Sequence, residues 1–116
     1  MDKNMIYQER GGFRIGESMT FAWGSGWPKA LIKIDSDSIT IKTVYKRTPY
    51  KIDKEKITLI SKESYWFIPY LRIEHTDDQV PPFVTFVSWR TSKLIDEISK
   101  RNYPLDIMST TTIKPF

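Results

Sequence analysis

In the stretch PPFVTFVSWRTSKLIDEISKRNYP, residues 81–104, the spacing of the apolar residues changes partway along. Residues 82–89 are rich in β-branched and aromatic side chains, which is typical of a strand. Beyond them, Leu94, Ile95 and Ile98 recur at helical spacing and form one apolar stripe. Pro104 marks the limit of this pattern, because proline cannot continue a helix. The stretch therefore predicts a β-strand that leads directly into one amphipathic α-helix.

The residues around this helix carry the signals of its two ends. Thr91 or Ser92 is expected to cap its start with a side-chain oxygen, and Asn102 suits the position just past its end. Glu97 and Arg101 stand four residues apart in the acid-first order that stabilises a helix. These signals favour a helix that begins near Thr91 and ends near Arg101.

Upstream of residue 81, apolar residues recur with period two, as they do in half-buried strands. Polar turns separate these runs, including DSDS (35–38) and GSGWP (24–28), and the latter is expected to be a flexible hairpin connection. Residues 1–16, which mix charged residues with three glycines, are expected to form a lead-in segment, and residues 105–116 a C-terminal tail. The six strands expected before the quoted stretch span residues 18–24, 29–34, 39–45, 49–52, 56–61 and 67–75.

Seven strands followed by one helix predict a mainly β fold. The expected architecture is a strongly bent, seven-stranded antiparallel barrel or sandwich, whose open end is capped by the C-terminal helix. The helix should bury its apolar stripe against inward side chains of the strands, among them Ile39, Ile41, Leu59, Ile73 and Phe86.

The order of these segments resembles the pleckstrin-homology (PH) superfold, and more closely its small bacterial PH-like members. The resemblance spans residues 17–104. It is carried by ALIKIDSDSITIK (30–42), YKIDKEKITLI (50–60), LRIEH (71–75) and the stretch quoted above. It implies a non-catalytic binding or scaffold domain, although a fold does not by itself specify a function.

The composition is that of one soluble domain. The chain has 116 residues, 40% of them hydrophobic and 28% charged, and its net charge is +4. These values argue against disorder throughout and do not demand an anionic partner. The chain has no cysteine, which excludes disulfides and Cys-ligated metals. Since no signal peptide is recognisable and the apolar runs are far shorter than the roughly 18 residues that cross a bilayer, the expected location is the cytoplasm.

Residues capable of catalysis or metal binding lack the partners that such chemistry needs. His75 is the single histidine, whereas zinc sites use several His or Cys ligands. Asp35 and Asp37 fit a turn better than a calcium loop. Neither Ser64 nor Ser88 lies in a nucleophile elbow. No catalytic residue, cofactor or metal site is therefore predicted, and the chain is not expected to be an enzyme.

Aromatic and apolar residues outside the predicted core are the candidate contacts for a protein partner. The adjacent aromatics at 65–67 cannot all point to one side of a strand, so either they wrap around a corner of the core or at least one faces outward. Exposed aromatic area commonly marks a protein interface. The tail is expected to pack on its own sheet or on the sheet edge of a partner. The candidate partner-binding residues are Trp27, Tyr65, Trp66, Phe67, Ile113 and Phe116.

The basic segment YKRTPYKIDKEK (45–56) has a local charge of +3, yet it is expected to divide in space between the two ends of one strand. In lipid-binding PH members, basic residues cluster on the first two strands and the loop between them. Here that loop, GSGWP, contains none. Specific phosphoinositide binding and nucleic-acid binding are therefore not expected. Weak, nonspecific anion binding is assigned to Lys29, Lys33, Lys46 and Arg47.

Two functions remain open at this level. The favoured one is a non-catalytic domain that contacts another protein or a second copy of itself. The alternative is peripheral binding to anionic membrane lipid or nucleic acid through the basic loops. A symmetric, apolar interface of ordinary size would favour the first function. A steep loss of binding with salt would favour the second.

Overall fold

The computed structural model describes residues 6–17, 22–44, 46–65 and 68–106. A short 3-10 helix (Lys54–Lys56) and an α-helix, α1 (Thr91–Lys100), interrupt a series of strands. The strands are β1 (Tyr7–Gly16), β2 (Ala22–Ile34), β3 (Ser38–Thr43), β4 (Lys46–Asp53), β5 (Ile57–Tyr65), β6 (Ile68–His75), β7 (Phe83–Val87) and β8 (Leu105–Asp106).

These strands form one sheet of eight in the order β4-β3-β2-β1-β7-β6-β5-β8. Neighbouring strands are antiparallel, except for β5 and β8, which are parallel. Within the described ranges the outermost strands β4 and β8 do not pair with each other, so the sheet is open. The predicted class, mainly β with one C-terminal helix, is confirmed. The predicted count of seven strands is wrong, and of the two predicted forms, barrel or sandwich, the open sheet does not form a closed barrel.

Residues 7–16, expected to be a lead-in segment, form β1 in the interior of the sheet between β2 and β7. The glycines that suggested a loose segment instead let two strands approach closely. A Cβ on Gly11 would lie 2.1 Å from the carbonyl oxygen of Val87 in β7. Phe13 and Ile15 of β1 are buried in the core. The domain therefore includes β1 and begins before residue 17.

The segment 24–28, expected to be a hairpin connection, lies inside β2. Over this segment β2 advances five residues, from Ser25 to Ala30, while β1 advances two. The surplus is a bulge, which lets a strand absorb extra residues without leaving the sheet. Gly24 permits the close approach beside it, since a Cβ there would lie 1.8 Å from the carbonyl oxygen of Phe13. The first two predicted strands are thus one.

The core lies on the inner side of the sheet, and α1 packs against it. Leu94 and Ile98 of α1 are completely buried, and Ile95 is half-buried against the same cluster. One hydrophobic cluster contains side chains from β2–β4 and from β5–β7, so the sheet folds over on itself. The predicted partners of the helix that belong to this cluster are Ile39, Ile41, Ile73 and Phe86.

A bulge in β5 explains why the prediction for Leu59 is wrong. Leu59 is half-buried, whereas Ile57 and Ile60 are buried in the core. The pairing of β5 with β6 shifts between Ile57 and Leu59. Because a bulge adds one residue, it moves the inward face of the strand and breaks the period of two on which the prediction rested.

The C-terminal end of α1 is capped at Asn102, as the sequence predicts. Asn102 adopts a left-handed backbone conformation, with φ 61°. Its N–H donates to the carbonyl of Ser99 at 3.0 Å, and the N–H of Tyr103 donates to the carbonyl of Ile98 at 3.4 Å. These two bonds form a Schellman motif, which satisfies carbonyls left open at a helix end.

The start of α1 differs from the prediction. Arg90 precedes the first turn, and no side chain caps it. The hydroxyl of Thr91 instead donates to the carbonyl of Ser88 at 2.9 Å, so the prediction that Thr91 or Ser92 caps the helix is wrong.

Among the described residues, no helix is long and apolar enough to cross a membrane.

The first residues of the predicted tail belong to the sheet. Leu105 and Asp106 form β8 beside Ile60 and Ser61 of β5. The N–H of Ile60 also donates to the carbonyl of Pro104 at 2.7 Å. The domain therefore extends past residue 104. The remainder of the tail, residues 107–116, lies outside the described residues.

Candidate functional site

The most exposed of the large apolar side chains in the described ranges lies where β7 leads into α1. Trp89 is 81% exposed, and Arg90 and Lys93, which follow it, are exposed as well. Ile6 is 45% exposed. It precedes Tyr7, whose ring centre lies 6.0 Å from the Lys93 ammonium. We term Ile6, Trp89, Arg90 and Lys93 the Trp89 surface.

Hydrogen bonds and an ion pair fix the backbone beneath the Trp89 surface. The hydroxyl of Ser88 accepts the N–H of Arg90 at 2.9 Å, and the carbonyl of Ser88 accepts the Thr91 hydroxyl. The Lys93 ammonium lies 3.2 Å from the carboxylate of Glu97. An ordered turn therefore presents the Trp89 surface.

A buried carboxylate lies beneath the same region. Glu9 of β1 is 7% exposed, and one of its oxygens accepts a hydrogen bond from the Tyr7 hydroxyl. Burial raises the pKa of Glu9, while the bond from Tyr7 and the proximity of Arg90 oppose the shift. Burial, followed by Glu9, raises the pKa of Tyr7. The Tyr7–Glu9 bond thus lies within β1, and Arg90 brings the start of α1 close to it.

Glu97 is the centre of an ion-pair network on α1. Its carboxylate lies 2.7 Å from the Arg101 guanidinium, 3.2 Å from Lys93 and 3.6 Å from Lys100. The predicted pair with Arg101 is thus confirmed. The hydrogen bond from Arg101 lowers the pKa of Glu97 most, and Lys93 and Lys100 lower it further against the opposing effect of burial. Lys93 therefore joins the Trp89 surface to this network.

An acidic groove lies near the other end of α1. Its volume is about 700 Å³, and it is lined by Asp37, Asp53, Lys54, Glu55, Ile57 and Pro104. Lys54 points to the helix end, since its ammonium donates to the Arg101 carbonyl at 2.8 Å. The three carboxylates lie on exposed residues, whereas Ile57 is buried and Pro104 half-buried. The acidic groove thus combines a carboxylate rim with an apolar floor.

Four cations from different strands occupy the outward positions of β1–β4. The strand registers align Gln8, Lys33, Thr40 and Lys51 in one row, and Arg10, Leu31 and Lys42 in the next. Residues that alternate with these positions, such as Ile32, Ile41 and Ile52, face the core. We term Arg10, Lys33, Lys42 and Lys51 the basic face.

The aromatic residues predicted to contact a partner fall mostly outside the described part. Trp27 lies in β2 and Tyr65 ends β5, but the structure describes only their backbone. Their role therefore stays a prediction, as does that of the four candidates outside the described residues: Trp66, Phe67, Ile113 and Phe116. Besides Trp89, the described tryptophan with large exposure is Trp23, at 42%.

The predicted anion-binding residues do not form one group. Lys29 is exposed in β2, and its carbonyl accepts the N–H of Val44 at 3.3 Å. Lys46 and the exposed Arg47 start β4 nearby, because Thr43 at the end of β3 pairs with Lys46. Lys33 lies apart from them, in the row of the basic face. The predicted division of residues 45–56 is confirmed, since Lys54 and Lys56 lie beyond the opposite end of β4.

His75 has a structural role at the β6–β7 connection. Its Nδ1 accepts the N–H of Asp77 at 3.0 Å. Its Nε2 lies 3.0 Å from the carbonyl of Pro81, to which the neutral Nε2–H tautomer donates. Both ring nitrogens therefore hold the loop. No group of three or more His, Asp or Glu within the described ranges is arranged to hold a metal ion.

Sequence reasoning missed both Trp89 and the basic face. Trp89 was assigned to the seventh strand, but β7 ends at Val87. Four of the five residues of β7 are buried, so alternation could not mark its end. The predicted start of the helix at Thr91 was the signal in the sequence that the strand ends shortly before it. The basic face was missed because Arg10 lies in β1, whose glycines suggested a lead-in segment.

Comparison with protein-family models gives no match, and comparison with curated proteins gives no relative.

Proposed function

We propose that this chain is a non-catalytic, PH-like binding domain of the cytoplasm that associates with a second copy of itself through the Trp89 surface. The 81% exposure of Trp89 beside two cations is the observation that carries the proposal. Tryptophan and arginine dominate the binding energy of many protein interfaces. An indole brings a large contact area at a low cost in side-chain entropy.

The acidic groove supplies a complementary surface on the second copy. Its floor of Ile57 and Pro104 suits the indole, and its volume of about 700 Å³ lies in the range of ordinary ligand pockets. Its carboxylates suit Arg90 and Lys93, since opposite charges across an interface speed encounter and fix orientation. Reciprocal insertion in both copies gives a closed two-fold dimer.

The PH-like assignment is supported by the order of the elements. A run of antiparallel strands leads into one helix that covers the core, as the resemblance implies. The chain departs from the expected pattern in two places, since β1 precedes the matched region and β8 follows it. The resemblance favours a binding role, and the function itself rests on the surfaces described above.

A non-catalytic role is supported by how the reactive side chains are used. Both nitrogens of His75 are engaged with backbone groups. The Ser88 hydroxyl accepts the N–H of Arg90. Glu9 is buried in a bond with Tyr7. Each of these groups thus makes a contact within the fold, and the second carboxylate oxygen of Glu9 is buried with no hydrogen-bond partner in the described part of the chain.

The test is sedimentation velocity over a wide range of protein concentration. The wild-type chain should show reversible dimerisation. Trp89→Ala removes the inserted side chain, and Asp53→Lys reverses a charge on the groove, so each variant alone should stay monomeric. An equimolar mixture of the two variants should associate, because each retains the half that the other lacks.

Ile68→Ala is the matched control, since Ile68 is 53% exposed on β6 and belongs to neither surface. It should dimerise like the wild type. Circular dichroism of each variant establishes that it is folded. A wild-type chain that stays monomeric at every concentration, or a mixture of variants that does not associate, would overturn the proposal.

A further inference from the structure

We propose that the basic face binds the phosphate backbone of double-stranded nucleic acid without base specificity. This role is independent of the Trp89 surface. It also differs from the expectation drawn from the sequence, in which the cations of residues 45–56 divide in space and nucleic-acid binding is not expected. The difference arises because Lys51 is grouped in space with cations of three other strands.

The strand registers place the four cations in a zigzag line. Lys33 and Lys51 lie in one row on either side of Thr40. Arg10 and Lys42 lie in the next row on either side of Leu31. Diagonal neighbours on a sheet are roughly 7–8 Å apart, so the line Arg10–Lys33–Lys42–Lys51 crosses four strands with even spacing.

The charge of these two rows is of one sign. The other residues in the two rows are Gln8, Leu31 and Thr40, which are uncharged. The adjoining row contains Asp53, which follows Lys51 on the same side of β4, pairs with Ser38 and lines the acidic groove. Arg10, Lys42 and Lys51 are exposed. Lys33 is half-buried, and a lysine in that position extends its ammonium to solvent along its stem.

A linear array of phosphates fits these features better than a bilayer or a single strand. Peripheral membrane binding combines charge with inserted apolar residues, and the large apolar residue of this face, Leu31, is half-buried. Single-stranded binding uses aromatic side chains on which bases stack, and the two rows contain none. Lysines bind phosphate as point charges, so these contacts do not depend on the base sequence.

The proposal gives a defined salt dependence. Each phosphate neutralised on a duplex contributes about −0.9 to the slope of log K against log salt. Four contacts therefore give a slope of about −3.6. The probe is a fluorescently labelled duplex DNA of mixed sequence, titrated with the full chain at several salt concentrations. A duplex of different sequence should bind equally well.

Paired variants locate the contacts. Lys42→Gln with Lys51→Gln should weaken binding and reduce the slope by about 1.8. The control, Lys56→Gln with Lys100→Gln, removes the same charge from exposed residues outside the face and should leave the slope unchanged. Lys29→Gln with Arg47→Gln tests the end of β2–β4 that the sequence favoured, and it should also leave the slope unchanged.

Three results would overturn the proposal. The first is no binding to the duplex at low salt. The second is an equal loss of slope in the basic-face pair and either of the other pairs, which would assign binding to net charge or to the strand ends. The third is binding to vesicles that contain anionic lipid without binding to the duplex. Trp89→Ala should bind the duplex normally, so failure of the dimer would not affect this result.

Discussion

The hydroxyl of Tyr103 donates a 2.6 Å hydrogen bond to the carbonyl oxygen of Asp35. Tyr103 follows α1, and Asp35 opens the turn between β2 and β3, so the bond joins the helix end to a turn 68 positions away. The ring is 4% exposed, and the ammonium of Lys54 lies 5.3 Å from its centre. Tyr103 thereby ties together the helix end, the turn and the 3-10 helix.

We predict that Tyr103→Phe lowers the free energy of unfolding by about 1 kcal/mol, the usual contribution of one hydrogen bond. The ring still fills its place in the core, so the loss is confined to the hydroxyl. Chemical denaturation at neutral pH measures the change, and the denaturant dependence should stay the same. An unchanged free energy would mean that the bond contributes nothing to the junction.

The same residue predicts an alkaline effect. Burial, followed by Asp35 and Asp37, raises the pKa of Tyr103. Above about pH 10, the unfolded chain releases the phenolic proton that the folded chain retains, so stability falls as pH rises past that value. Tyr103→Phe should lose stability less steeply above pH 10 than the wild type. Parallel curves for the two proteins would contradict this prediction.

We predict that Gly11→Ala destabilises the domain by about 1–3 kcal/mol, as overpacking of a close contact does. The added Cβ would meet the carbonyl oxygen of Val87 at 2.1 Å and the ring of Phe86 at 2.7 Å. Backbone of a neighbouring strand cannot move aside as a flexible side chain does. Thermal unfolding measures the loss. Gln8→Ala, an exposed change on the same strand, should stay within about 0.5 kcal/mol.

Much of the fold is predictable from the sequence because periodicity survives in most of the strands and in the helix. The helix stripe and the left-handed Asn102 follow from local rules alone. β1 is not predictable in this way. Its glycines favour a loop, and only the close approach of β7 explains why they lie in a strand. The bulges of β2 and β5 are likewise invisible, because a bulge is a property of a pair of strands.

The candidate surfaces were less predictable than the fold. Trp89 becomes exposed because β7 ends two residues earlier than its composition suggests. The basic face arises from the registers of four strands, whereas the sequence shows only a cluster of charges at residues 45–56.

We predict that Glu97→Gln lowers stability at neutral pH, because the amide cannot maintain three ion pairs. Arg101 and the two lysines hold the pKa of Glu97 below its usual value. A lowered pKa stabilises the folded state above the unfolded pKa, about 4.3 for glutamate, and this contribution is lost as pH falls below it. The difference between variant and wild type should therefore shrink in acid. Asp96→Asn, an exposed neighbour on α1, should show no such dependence.

Ile98→Asp tests whether α1 completes the core. Ile98 is completely buried in the cluster that joins both halves of the sheet. An unpaired carboxylate there is desolvated without compensation, so we expect a loss of more than about 4 kcal/mol, enough to unfold a marginally stable domain. Ser99→Asp places the same charge on the next residue, which is exposed, and should fold normally. The measurement is circular dichroism with thermal unfolding of both variants. If Ile98→Asp melted at the wild-type temperature, the helix would not be part of the core.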